Sequence, residues 1–313
     1  MIGKLAAPTL APVVQVVAAV LALGPPDLAQ GLAFLRTSQD SEGCFGAKFT
    51  GHYIYNHAIA TLAMAEAYGM TGSPVYRESA QKALDFVAIA RNPYFAWRYG
   101  VKPGDNDTSV TTWMMLALHR ARLANTADLA AGRPPSFTID EDAFEGAKAW
   151  VEKMTDPDFG RVGYQTRGTG PARPTDVVDK FPAEKSESMT AAGILIREIL
   201  GEDPKKSSMI AKGAALCEKT PPAWSPSDGS VDLYYWHYGM LALPAVGGRV
   251  WSTWQAALRV SVVDTQRRDT DFCMYKGSWD NVDPWGRDGG RIYSTAMALL
   301  CIEAPARSWI KRR

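Results

Sequence analysis

Two hydrophobic patterns alternate along the chain, both compatible with the 3.6-residue period of helix. One is amphipathic and recurs at Asp27 to Ser38, Tyr76 to Arg91, Ala143 to Met154, Ser207 to Lys219 and Trp251 to Gln266. In the second of these, Ala80, Ala83, Leu84, Val87 and Ala90 form an apolar stripe, while Arg77, Glu78, Gln81, Lys82 and Asp85 face away. The other pattern is apolar or small on nearly every side, at Tyr53 to Tyr68, Thr108 to Leu123, Ser188 to Leu200, Leu233 to Val246 and Ile292 to Ala304. A helix of that kind must be covered all round, whereas an amphipathic helix needs cover on one side. Strand-like alternation of comparable length is missing.

The apolar segments also resemble one another. Thr111–Leu118 aligns with His57–Met64, with Trp236–Leu243 and with Thr295–Leu300, each opening on a small or polar residue before a Leu/Ala/Met ridge. This is a degenerate repeat of helical hairpins. Stacked side by side, the hairpins predict an inner ring of apolar helices inside an outer amphipathic ring. With a further helix at Leu10 to Leu23 the hairpins suffice to close the ring. An open solenoid is the alternative, but it needs polar ends, and the N-terminal end here is apolar.

The turns between outer and inner helix carry a second signature. Gln39 to Phe45 reads QxxxGxF, and related turns occur at Asn92 to Trp97 and Lys276 to Trp279. This resembles the QxxxGxW motif of the terpenoid cyclase and protein prenyltransferase superfamily, which includes the squalene–hopene cyclases. The resemblance spans Asp27 to Glu303 and implies an all-α fold, an α/α toroid. On that reading residues 27–313 form one toroid domain, and residues 1–26 form an apolar helix packed on it or touching a membrane. Lys4 followed by Val13 to Leu23 also resembles a weak signal segment, too short to span a bilayer. The expected location is the cytoplasm or a membrane periphery, with export left open. Two longer connections interrupt the repeat: Asn125 to Glu141, read as a surface excursion, and the Gly- and Pro-rich Phe159 to Lys185, read as a lid or a plain connection.

Chemistry enters at Asp105-Asn106-Asp107-Thr108, just before an apolar helix. Asp107 or Thr108 suits an N-cap. The tetrad also resembles the DxDD or DxDT acid motif of class II terpenoid cyclases, which implies Asp107 as a proton donor with Asp105 beside it. The same resemblance implies a dry, aromatic cavity that stabilises a carbocation. Trp113, Tyr234, Tyr235, Trp236, Tyr238, Trp279, Trp285 and Tyr293 are the expected wall, with His57 and His237 pointing to one common side. Arg161, Arg167 and Arg173 of the long loop would capture a diphosphate. With a single toroid, a prenyl chain shorter than squalene is the better substrate.

Asp271-Phe272-Cys273 resembles the D-x-C zinc ligands of prenyltransferase β subunits, but Ser294 stands where that family has its histidine. No cofactor is therefore expected, and zinc or magnesium is the minor alternative. The four cysteines show no disulfide framework, and the net charge of +1 gives no electrostatic case for nucleic acid. The ligand expected is an isoprenoid or another apolar small molecule. A non-catalytic toroid that binds a peptide, lipid or protein is the competing reading, and oligomeric state is left open.

Overall fold

The computed structural model describes residues 25–174, 176–268 and 273–305. The expected helix at Leu10 to Leu23 lies outside them. Among the described residues ten α-helices follow one another: α1 (Pro25–Ser38), α2 (Tyr53–Thr71), α3 (Pro74–Ala90), α4 (Thr108–Ala130), α5 (Asp142–Met154), α6 (Ser188–Ile199), α7 (Ser208–Lys219), α8 (Leu233–Val246), α9 (Gly248–Leu258) and α10 (Gly286–Glu303). No strand occurs among the described residues, which make only isolated bridges at the turns. The architecture is the α/α toroid. Even-numbered helices form the inner ring and odd-numbered helices the outer one. Neighbouring inner helices pack in the order α2, α4, α6, α8, α10, and each outer helix packs on its inner partner.

Burial follows the two sequence patterns. Every residue of α6 is buried, as is the run from Thr108 to His119 in α4, whereas α5 buries only Ala143, Phe144, Gly146, Ala147, Trp150, Val151 and Met154. Close approach between the rings requires glycine at some crossings. A Cβ on Gly239 of α8 would fall 2.0 Å from Cζ2 of Trp254 on α9.

The repeat has a hydrogen-bonded basis. The backbone N–H of a turn residue donates to a side chain on the following inner helix: Phe45 to His57 Nδ1 (3.2 Å), Trp97 to Thr111 Oγ1 (3.4 Å), Val162 to Thr190 Oγ1 (3.2 Å) and Trp279 to Thr295 Oγ1 (3.2 Å). The indoles of Trp97 and Trp279 then donate to Val87 and Val262 carbonyls, 2.9 and 2.7 Å away, latching the turn to the preceding outer helix.

Three segments depart from the expected pattern. The outer helix expected over Trp251 to Gln266 is α9, followed by a π-helical turn at Arg259–Val263. The connection expected from Asn125 is shorter, because α4 continues to Ala130, and Phe137 is buried edge-on against Tyr68 rather than exposed. Finally, α10 is broken at Gly290 (φ 64°), so its regular part starts next to the expected Ile292. Among the described residues no helix is long and apolar enough to cross a membrane.

Candidate functional site

All five inner helices meet at one cavity of about 440 Å³. Its wall takes Tyr55 and Ile59 from α2, Ser109 and Trp113 from α4, Ser188 and Met189 from α6, Tyr234 from α8, and Tyr293 and Met297 from α10. Loops supply His52, Arg98, Tyr99, Tyr164, Ala172, Arg173, Pro174 and Trp285, and the first turn of α10 adds Arg287 and Asp288. The expectation that the inner helices share one cavity holds. From the connection Phe159 to Lys185, Tyr164 and residues 172–174 wall the cavity.

Asp107 is fully buried and caps α4, accepting from the Val110 N–H at 2.7 Å through Oδ1. It does not itself line the cavity; Ser109, Arg98 and Tyr164 do. Its Oδ2 makes no hydrogen bond and lies 3.7 Å from Arg98 Nε. Burial pushes the carboxyl up to about 7, while the Val110 amide, the nearby Tyr164 hydroxyl and Arg98 pull in the other direction. Asp105 differs from Asp107 in every respect: it is exposed at the rim and holds the Arg98 guanidinium through Oδ2.

Thr108 explains its own presence in the tetrad. Its N–H donates to the Tyr164 carbonyl at 3.0 Å, its hydroxyl donates to the Gly163 carbonyl at 2.7 Å, and the Trp150 indole donates to that hydroxyl at 3.2 Å. A carboxylate, which only accepts, could not tie the loop down in this way. Thr108 thus fixes the loop that carries Tyr164 beside Asp107.

The other expected residues divide into cavity wall and scaffold. Trp113, Tyr234, Trp285 and Tyr293 wall the cavity. Tyr238 and His237 stand behind Trp113, with ring centroids 5.7 and 5.5 Å from it. Tyr235 points to the outer ring, meeting Trp254 at 5.0 Å, Trp236 packs toward Trp224, and Trp279 is a turn latch. His57 does not share a side with His237. It occupies the register of Trp236 and is enclosed between the Phe45 N–H and the Ala83 carbonyl; burial depresses its pKa to about 3, so it serves as a neutral structural ring.

The three loop arginines are not assembled for a diphosphate. Arg161 is bound bidentately by Glu187, Arg167 is exposed and donates to the Lys153 carbonyl, and only Arg173 reaches the cavity, held by Asp232 at 2.5 Å. Asp271 lies outside the described residues, and so do the surroundings of Cys273. Among the described residues no group of three or more His, Cys, Asp or Glu side chains could hold a metal ion.

Tyr55, Tyr99, Tyr164, His52, Arg98, Arg287 and Asp288 were not expected. One signal could have revealed the first. Tyr55, Ser109, Tyr234 and Tyr293 each lie two residues before the aligned His57, Thr111, Trp236 and Thr295, and all four line the cavity.

No protein-family model matches the chain, and no curated protein matches it in sequence. Solved structures do match its fold. A cellobiose 2-epimerase from Bacillus thermoamylovorans is 12% identical, with 94% of this chain and 86% of that one covered and a TM-score of 0.57. The type II terpene cyclase MstE from Scytonema is 15% identical over 94% and 88% of the two chains, with a TM-score of 0.56. A possible GH105 family member from Salmonella enterica is 13% identical over 95% and 82%, also at 0.56. The chain therefore shares the α/α toroid with proteins of several different activities, of which the terpene cyclase is one.

Proposed function

We propose that the protein is a terpenoid-cyclase-like enzyme that starts its reaction by protonating a prenyl-class substrate, with Asp107 as the source of the proton. One observation carries this reading: a fully buried carboxyl, with one oxygen used as a helix cap and the other without a hydrogen bond, stands directly behind the wall of an aromatic cavity. Burial pushes its pKa up to about 7, so that it keeps its proton into the neutral range. At neutral pH an ordinary aspartic acid holds its proton in roughly one molecule in a thousand. The carboxylate left after proton transfer is met by the Arg98 charge. Trp113, Trp285, Tyr234 and Tyr293 supply the ring faces that stabilise a migrating cation. A cavity of about 440 Å³ lies within the ordinary range for small-molecule sites and suits a chain shorter than squalene.

A non-catalytic binding toroid is the second reading, favoured by the absence of Asp107 from the cavity wall. Incubation with geranyl, farnesyl and geranylgeranyl diphosphates and with the corresponding alcohols, analysed by gas chromatography and mass spectrometry, separates the two. The expected result is a cyclised product from the wild type and none from Asp107→Asn, which keeps the cap because asparagine accepts at that position as aspartate does. Quenching of tryptophan fluorescence without turnover in the wild type supports the binding toroid instead. If no probe in the series binds, the prenyl-class reading falls and a toroid that binds a peptide or protein is left.

A further inference from the structure

Asp107 cannot touch a molecule in the cavity, so a proton that leaves it must cross the wall. The wall at that point is built of hydroxyls. Tyr164 is held against Thr108, the residue next to Asp107, by three hydrogen bonds, and its hydroxyl lies near the Asp107 carboxyl, although in this structure neither Asp107 oxygen is hydrogen-bonded to it. The Tyr164 hydroxyl is 2.6 Å from that of Tyr99, and both residues line the cavity. Tyr99 is itself held in place: its ring meets His52 edge-on at 4.7 Å, Arg98 stacks on it at 4.9 Å, and Tyr55 lies 5.9 Å away. A further run of hydroxyls continues from there, with Tyr55 donating to Ser109 at 2.8 Å and Ser109 lying 2.5 Å from Tyr234.

We propose that Asp107 delivers its proton to the cavity through Tyr164 and Tyr99, so that the group touching the substrate is a tyrosine hydroxyl and Asp107 is the reservoir behind it. In the loaded state the Asp107 O–H points to the Tyr164 oxygen, and the Tyr164 O–H points to the Tyr99 oxygen. In the transfer three O–H bonds break: those of Asp107, Tyr164 and Tyr99. Two O–H bonds form, at Tyr164 and Tyr99, and the third proton bonds to the substrate. Asp107 is left as the carboxylate beside Arg98, and both tyrosines end neutral. Burial raises the pKa of each tyrosine, so both stay protonated and the relay stays loaded throughout the range in which Asp107 titrates. Water reloads Asp107 along the same path.

The inference rests on Asp107 as the acid, but its test needs no substrate and so succeeds or fails apart from the turnover assay. The carboxyl stretch of Asp107, assigned by its loss in Asp107→Asn, is followed by time-resolved infrared spectroscopy after a photoacid pH jump. Tyr99→Phe keeps the ring and removes the hydroxyl. It is expected to slow protonation of Asp107 at least about tenfold while moving its apparent pKa by less than about one unit. A purely structural tyrosine would leave the rate unchanged. Tyr164→Phe is expected to slow it equally and covers the case in which Tyr99→Phe folds poorly. Wild-type rates in either folded variant overturn the relay.

Discussion

Removal of the Asp105 carboxylate should acidify Asp107. Arg98 is shared unequally between the two: it binds exposed Asp105 directly, while its Nε stays 3.7 Å from Asp107 Oδ2. In Asp105→Asn the guanidinium loses its charged partner and is free to close on Asp107. At an effective dielectric constant of about 20, attraction between unit charges grows from roughly 4.5 kcal/mol at 3.7 Å to roughly 6 kcal/mol at about 2.8 Å. That gain of about 1.4 kcal/mol equals one pKa unit, and a charge-assisted hydrogen bond adds on the order of one more. Loss of the neighbouring negative charge acts in the same direction. The carboxyl, at about 7 in the wild type, should therefore titrate about one to three units lower in Asp105→Asn. Infrared titration of the Asp107 band measures this directly. An unchanged or raised pKa would refute the idea that Asp105 draws the arginine away. Turnover at neutral pH should fall in parallel, because fewer molecules hold the proton.

Two further predictions concern stability. Glu198 on α6 is buried with both carboxyl oxygens unpartnered, and burial pushes it up to about 9; the folded state thus binds a proton that the unfolded state has released above its ordinary pKa, and stability falls as pH rises from about 4.5 through 9. Glu198→Met should stabilise the protein by about 1–3 kcal/mol at pH 5 and by visibly more at pH 8 in urea melts, and parallel pH curves for the two proteins would count against it. Gly239→Ala should cost about 1–3 kcal/mol or more despite the better helix propensity of alanine, because the new methyl meets the Trp254 ring; a melting temperature unchanged from wild type would show that the two rings slide apart freely.

Much of the architecture was readable in the chain because it depends on patterns that repeat. Apolar runs buried all round, amphipathic partners and the glycine-aromatic turns recur with a common register, and every described helix lies where one was expected, although one end each of α4, α9 and α10 falls well away from its expected bound. The site was readable only where it inherits that register. Trp113, Tyr234 and Tyr293 project inward with the repeat. Tyr235 and Trp236 are as aromatic as Tyr234, but each step of about 100° along α8 turns the side chain away from the cavity. His57 failed for the same reason. The loop residues carry no such register. Tyr164 reaches the site because the Thr108 hydroxyl binds the carbonyl before it, and Tyr99 because its ring is clasped by His52 and Arg98. Such contacts join residues far apart in sequence and leave no periodic trace.

The acids at the mouth of the inner ring show why Asp107 is different from its neighbours. Glu187 accepts three hydrogen bonds from Arg161 and one from the Thr190 hydroxyl at the start of α6. Asp232 caps α8 through the Tyr235 N–H and holds Arg173 at 2.5 Å. Each is a buried carboxylate paired directly with an arginine, so that its negative charge is compensated. A helix N-terminus adds to the same preference, since its orphan amides favour negative charge. Asp107 sits at an equivalent helix start and makes the same capping bond, yet burial dominates because its arginine is turned toward Asp105. The spacing of two acids around Asn106 has a function on this view. Asn106 is buried, its side-chain oxygen accepting from Asn92 and from the Ala96 N–H, and so fixes the turn with Asp105 outside and Asp107 inside. One acid then sequesters the cation at the surface while the other keeps its proton beneath the cavity.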